Sequence, residues 1–210
     1  MRSVFGADIY GITSEKHSRG RDTISVVKAM IDSGVTLIQY REKEKSMLEK
    51  YRQCEAIRKL TQQAGVSFIV NDHIDLALAV DVDGVHVGQD DLPVEVVREL
   101  VGKEKIIGLS THSPQQARKA VEVGADYIGV GPIFSTKTKM DVCDPVGLSY
   151  LEYVVKKEKI PFVAIGGIKT HNLAQVKACG AETIALVTEV VGAEDIVKQI
   201  DIIRKIMERK

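Results

Sequence analysis

A chain of 210 residues with 44% hydrophobic and 28% charged side chains has the composition of a folded globular protein, not of a disordered or fibrous one. Lys plus Arg and Asp plus Glu balance at 29 each, so no overall field draws the chain to nucleic acid or to an anionic membrane, and only a local basic pocket stays open to it. No stretch approaches the roughly 18 uninterrupted apolar residues of a membrane span, and MRSVFGADIYGIT lacks the apolar core of a secretory signal. Cys54, Cys143 and Cys179 are odd in number and widely spaced, without CxxC pairs, and read as structural thiols of a reducing, cytoplasmic compartment.

Eight short apolar runs alternate with longer amphipathic segments. The first is IYGIT at 9–13. The second, TLIQYR at 36–41, leads through Gln39 and Tyr40 into Arg41, Glu42 and Lys43. Arg41 and Lys43 are two apart and point to one side of an extended chain, which suits an anion, although REKEK also reads as a solvated turn. The helical pattern that follows puts Leu48, Tyr51, Cys54, Ile57, Arg58 and Thr61 in one stripe and ends at Gly65.

The third run, SFIVND at 67–72, ends in Asn71 and Asp72, and the fourth, GVHVG at 84–88, is followed by Gln89, Asp90 and Asp91. Carboxylates from two neighbouring strand ends, with few other ligands, resemble the sparse oxygen site of a magnesium ion that keeps its waters and takes substrate phosphate. Taken singly, Asp72 or Asp75 reads as a cap of the DLALAV helix, and Asp91 as a cap of the helix near Pro93. The fifth run, IIGLST at 106–111, brings Ser110, Thr111, His112 and Ser113. His112 suits a general base or simple packing against its loop, while Ser113-Pro114 caps a helix that Gly124 ends. His86 lies within a strand with its facing open.

The sixth run, YIGVG at 127–131, continues into GVGPIFSTKTK, where Thr136 and Thr138 alternate with Lys137 and Lys139 and phosphate oxygens are the natural guests. The seventh, PFVAIG at 161–166, ends in Gly166-Gly167-Ile168, and the eighth, TIALVT at 183–188, in Val187-Thr188-Glu189. Asp195 stands early in the last helix. Most runs are continuous rather than alternating, as in strands covered on both faces, and no linker divides the chain. We expect a single-domain α/β fold over 1–210, a (β/α)8 TIM barrel, with a doubly wound open sheet as the alternative. A barrel sends every strand end to one mouth, where Gly167 and Thr188 would make a phosphate cradle.

The ordered set IQYREK, FIVND, GVHVGQDD, IGLSTHS, GADYIGVGPIFSTKTK, VAIGGI and VGAEDI resembles thiamine phosphate synthase over nearly the whole chain. The resemblance implies a transferase that joins 4-amino-5-hydroxymethyl-2-methylpyrimidine diphosphate to 4-methyl-5-(2-phosphoethyl)thiazole with Mg2+, releasing pyrophosphate. It implies that Gln39 contacts the pyrimidine, and that Arg41, Lys43, Asn71, Ser110 and Lys139 hold the diphosphate. Of these, Arg41, Lys43, Ser110 and Lys139 are the expected catalytic groups. Asp72 and Asp91 would bind Mg2+, and Thr136, Thr138, Gly167, Val187 and Thr188 the thiazole phosphate. Small-molecule substrates are then the partners, and a homo-oligomer is left open. Thr188 stands where the family commonly has Ser, and Glu189 where a small residue is usual. A carboxylate there is unfavourable unless it points away or pairs with a lysine. A related thiazole tautomerase using His112 as acid/base, and a non-catalytic phospholigand-binding barrel, are the alternative readings.

Overall fold

In the computed structural model, which describes residues 6–136, 138 and 143–208, each apolar run forms a parallel strand. These are β1 (Ile9–Ile12), β2 (Leu37–Tyr40), β3 (Ser67–Asn71), β4 (Gly84–Val87), β5 (Ile106–Thr111), β6 (Tyr127–Val130), β7 (Phe162–Ala164) and β8 (Ile184–Leu186). They pair in chain order, and β1 closes on β8 through Ile9 with Ile184, Tyr10 with Ala185 and Gly11 with Leu186. That closure excludes the open sheet. The last seam is the thinnest: β7 and β8 share one register pair, Ala164 with Ile184.

Two apolar layers explain why the runs are continuous. Ile9, Ile38, Phe68, Val85, Ile107 and Ile128 face outward into the shell under the helices, whereas Tyr10, Leu37, Ile69, Ile106, Tyr127 and Val163 fill the barrel interior. Between the strands lie α1 (Thr23–Asp32), α2 (Met47–Ala64), α3 (Ile74–Val80), α4 (Val94–Val101), α5 (Pro114–Glu122), α6 (Gly147–Lys157), α7 (Leu173–Ala178), the single turn α8 (Thr188–Val191) and α9 (Ile196–Glu208). Ser113 Oγ accepts from Gln116 N at 3.3 Å to cap α5, and Asp195 Oδ1 accepts from Lys198 N at 3.0 Å at the start of α9.

The stripe expected on α2 holds only in its later turns. Cys54, Ile57 and Thr61 are buried, but Leu48 and Tyr51 are exposed, and Lys50 is buried with Nζ 2.8 Å from His73 Nε2. A helix of 18 residues is about 27 Å long against about 13–16 Å for strands of four or five residues, so its first turns overhang the strand ends. At the opposite rim, Arg204, Arg58 and Arg98 bind Asp8, Asp83 and Asp126 at 2.6, 2.8 and 2.6 Å. These carboxylates also accept from the strand amides of Ile9, Phe68 and Ile107, tying helices to strand starts away from the mouth.

Candidate functional site

The strand ends surround a cavity of about 1050 Å3, roomy for a single small ligand. Gln39, Arg41, Lys43, Asn71, Asp72, Asp91, Ser110, Thr136, Thr138, Gly167, Val187 and Thr188 all line it. Lys139, expected to hold the diphosphate, lies outside the described residues, as does Lys137.

On one side stand the cations and carboxylates. REKEK is not a plain solvated turn: Arg41 and Lys43 reach the cavity, while Glu42 between them is buried and accepts from Glu15 N at 2.9 and 3.1 Å. Burial pushes the Arg41 guanidinium below its ordinary pKa, with Asp72 and Glu42 opposing that shift. Lys43 Nζ lies 2.6 Å from Asp72 Oδ2. Burial works against ionisation of Asp72, but the Lys43 hydrogen bond and charge, with Asp91 and Arg41 beyond, hold its carboxyl below the ordinary range.

Neither carboxylate is the helix cap that it resembled in the sequence. α3 and α4 begin at His73 and Pro93 without side-chain capping bonds. Asp91 Oδ2 instead accepts from Gly88 N at 2.7 Å, which turns it back toward Asp72. Asp72 sits at φ +62°, a left-handed conformation that Asp tolerates better than most residues and that often marks a site. Among the described residues no three His, Cys, Asp or Glu side chains gather to hold an ion. Two adjacent carboxylates fit a magnesium ion that draws its remaining ligands from water and substrate, not one caged by protein alone.

The other side is a cradle of hydroxyls and glycine backbone. Thr136 Oγ1 lies 3.1 Å from Thr138 Oγ1 and accepts from Thr138 N at 3.3 Å, so both hydroxyls share one side. Gly167 has φ +64°, and a Cβ there would lie 2.5 Å from Ser135 O and 2.7 Å from Phe134 O. The β7 and β6 loops thus touch through bare backbone. Buried Asn172 fastens this turn, donating to Gly167 O at 3.0 Å and accepting from Lys169 N at 2.7 Å. Glu189 pairs with Lys169 at 3.2 Å and accepts from Thr170 N and Gln199 Nε2, while Lys169 Nζ donates to Thr188 Oγ1 at 2.7 Å. The condition set by the sequence is met: the carboxylate has its lysine.

Sequence reasoning missed Lys169, Asn172 and the interior residues Tyr10 and Tyr127, and left the facing of His86 open; the ring lines the cavity. Tyr127 Oη lies 2.9 Å from His86 Nδ1, and His86 Nε2 lies 3.0 Å from Ser110 Oγ. Burial raises the phenols of Tyr10 and Tyr127 well above their ordinary pKa, so both keep their protons. The available signal was the small residues opposite them, Gly108 and Gly129, on β5 and β6. His112 Nδ1 donates to Gly131 O at 2.5 Å, and its backbone N donates to Gln116 Oε1 at 2.7 Å, so its ring is held by the loop at the cavity wall.

A family model described as thiamine monophosphate synthase matches residues 9–190. A thiamine-phosphate synthase of Pelotomaculum thermopropionicum is 65% identical over 210 residues, covering 100% of this chain and 96% of that one. Its counterpart from Lawsonia intracellularis is 57% identical over 203 residues, covering 97% and 94%. The solved structure of a thiamine phosphate pyrophosphorylase from Pyrococcus furiosus superposes with a TM-score of 0.87 at 38% identity, covering 96% of each chain.

Proposed function

The chain belongs to the thiamine monophosphate synthase family and makes thiamine phosphate, and from that premise we propose how the two sides of the mouth divide the work. The carboxylate–cation side takes the pyrimidine diphosphate, and the threonine–glycine side takes the thiazole phosphate. The observation that carries this reading is one cavity with an acidic pair beside two cations at one wall and a backbone cradle at the other.

Arg41, Lys43, Asn71, Ser110 and Lys139 bind the diphosphate and stabilise the charge that develops as its C–O bond breaks. Asp72 and Asp91 would hold Mg2+, directly or through water, and the ion when bound supplies further charge neutralisation to the leaving group. Substitution is dissociative: the pyrimidine methyl carbon loses diphosphate and is captured by the thiazole nitrogen, with no protein nucleophile. Gln39 orients the pyrimidine, while Thr136, Thr138, the Gly167 amide and the Val187–Thr188 turn hold the thiazole phosphate in line and keep water out. Lys43 exchanges part of its bond to Asp72 for the substrate's oxygens.

Neither alternative has comparable support: the curated relatives carry the synthase name, and His112 is held by its loop. No helix among the described residues is long and apolar enough to cross a membrane. Three cysteines without disulfide partners agree with a cytoplasmic enzyme. The deciding experiment incubates purified protein with both substrates and Mg2+. Thiamine phosphate and pyrophosphate should appear in equal amounts, and their absence from well-folded protein would overturn the reading.

A further inference from the structure

A single file of hydrogen bonds crosses the barrel interior beneath the mouth. Gln39 Nε2 donates to Tyr10 Oη at 3.0 Å, Tyr10 Oη lies 2.9 Å from Tyr127 Oη, and the file continues through His86 to Ser110. Gln39, Tyr10 and Tyr127 are 3%, 1% and 1% exposed, so each of their hydrogens needs a partner within the protein or a ligand. The rings are packed in place, Tyr10 edge-on to Tyr127 at 6.2 Å and His86 tilted against Tyr127 at 5.4 Å. A Cβ on Gly108 would come within 2.2 Å of Tyr127 and 2.4 Å of His86, so the crossing requires a bare position on β5.

Chemistry gives the file a direction. An amide nitrogen donates and never accepts, so Tyr10 accepts from Gln39 and its one hydrogen goes to Tyr127. The Tyr127 hydrogen then goes to His86 Nδ1, which must be bare, and the neutral ring carries its hydrogen on Nε2 and donates to Ser110 Oγ. Ser110 is left with its own hydrogen for the cavity, and Gln39 with the second hydrogen of Nε2 and, beside it, Oε1, to which no described residue donates. Turning either end over reverses every bond between them.

We propose that Tyr10, Tyr127 and His86 are positioning residues that present Gln39 as a hydrogen-bond acceptor whenever Ser110 donates to an anion, so that the site selects a ring bearing an exocyclic amino group over its oxo counterpart. This rests on the reading above, in which Ser110 meets the diphosphate and Gln39 the pyrimidine. An anionic oxygen only accepts, so it demands the Ser110 hydrogen and with it the Nε2-H form of His86. A ring amino group then finds an acceptor in Gln39, whereas a ring carbonyl meets another oxygen. The leaving group at one wall thereby sets the recognition of the ring at the other.

Two measurements test it. In protein labelled with 15N-histidine, with the His86 signals assigned through His86→Gln, addition of Mg2+ and inorganic pyrophosphate should show Nδ1 bare and Nε2 protonated. A protonated Nδ1 in that complex overturns the proposal. Tyr127→Phe keeps the ring and cuts the file. Its kcat/KM preference for the 4-amino over the 4-oxo pyrimidine diphosphate should narrow by about tenfold or more, while KM for the thiazole phosphate stays near wild type. An unchanged preference overturns the proposal as well. If wild-type protein makes no thiamine phosphate, the functional reading fails, and the imidazole signals still decide the relay. The same signals decide it should Tyr127→Phe not fold.

Discussion

Replacing Gly167 by alanine tests whether contact between two loops builds the phosphate cradle. The residue sits at φ +64°, and its new Cβ would meet Ser135 O at 2.5 Å and Phe134 O at 2.7 Å, with the Phe134 carbonyl carbon at 2.8 Å. A left-handed non-glycine residue costs about 1–2 kcal/mol, and displacing a packed backbone neighbour costs about 1–3 kcal/mol more. At roughly 2–4 °C per kcal/mol for a chain of this size, the thermal midpoint should fall by about 4–20 °C. The atoms that must yield belong to the loop carrying Thr136 and Thr138, so the two walls of the cradle move apart. Steady-state rates, with each substrate varied at saturating levels of the other, should show KM for the thiazole phosphate rising about tenfold or more. KM for the pyrimidine diphosphate should stay within about twofold, because Arg41 and Lys43 follow β2 and Asp72 follows β3, across the barrel from β6 and β7. An unchanged thiazole KM, or a rise confined to the pyrimidine substrate, would refute the assignment of this wall.

Other perturbations bear on the remaining groups. Lys169→Met leaves Glu189 without its ammonium beside the cradle, and KM for the thiazole phosphate should rise about threefold to tenfold; adding Glu189→Gln should recover part of the loss, read from the same rates. Asp72→Asn should raise the Mg2+ concentration needed for half-maximal rate by about tenfold or more, measured by titration of activity at fixed substrate. Glu15 provides a pH dependence. Burial opposes its ionisation, yet bonds from Lys45, Thr23 and Gln53 bring its carboxyl down to about 2. Its folded value lies below the unfolded one, so its stabilisation is complete above about pH 4.5 and is lost as pH falls toward 2. After allowance for partial solvent access this is worth about 1–2 kcal/mol, and chemical denaturation of Glu15→Gln against wild type should show the difference at pH 6 shrinking below pH 4.

The barrel was legible because strands buried on both faces write uninterrupted apolar runs, and eight such runs leave little choice of architecture. The residues at the mouth were legible for the same reason: where each run stops, its polar successor enters the cavity. Period-two reasoning separated Arg41 and Lys43 from Glu42, and it also put the hydroxyls of Thr136 and Thr138 together. What could not be read depended on register between distant segments. Whether His86 faces inward depends on the turn that starts β4, and its partners Tyr127 and Ser110 come from β6 and β5. The stripe on α2 failed at Leu48 and Tyr51 because sequence periodicity does not say where a helix outruns its strands. Lys169 directly follows the GGI turn, but its use as the partner of Glu189 required β7 and β8 to be neighbours at that height.

That neighbourhood gives the thinnest seam of the barrel a second meaning. β7 and β8 are joined by the single pair Ala164 with Ile184, so the wall between them owes less to its own ladder than any other. Directly above it, the Lys169–Glu189 ion pair and the Lys169–Thr188 hydrogen bond reach from one strand's loop to the other's. A phosphate held between Gly167 and Thr188 would span the same gap, acting as a clasp on the cylinder as well as a handle on the substrate. Amide exchange of Ala164, whose N donates to Thr183 O across this seam, should therefore slow more than that of the β2–β3 ladder when thiazole phosphate binds, and the enzyme should be most fully closed only while its acceptor is aboard.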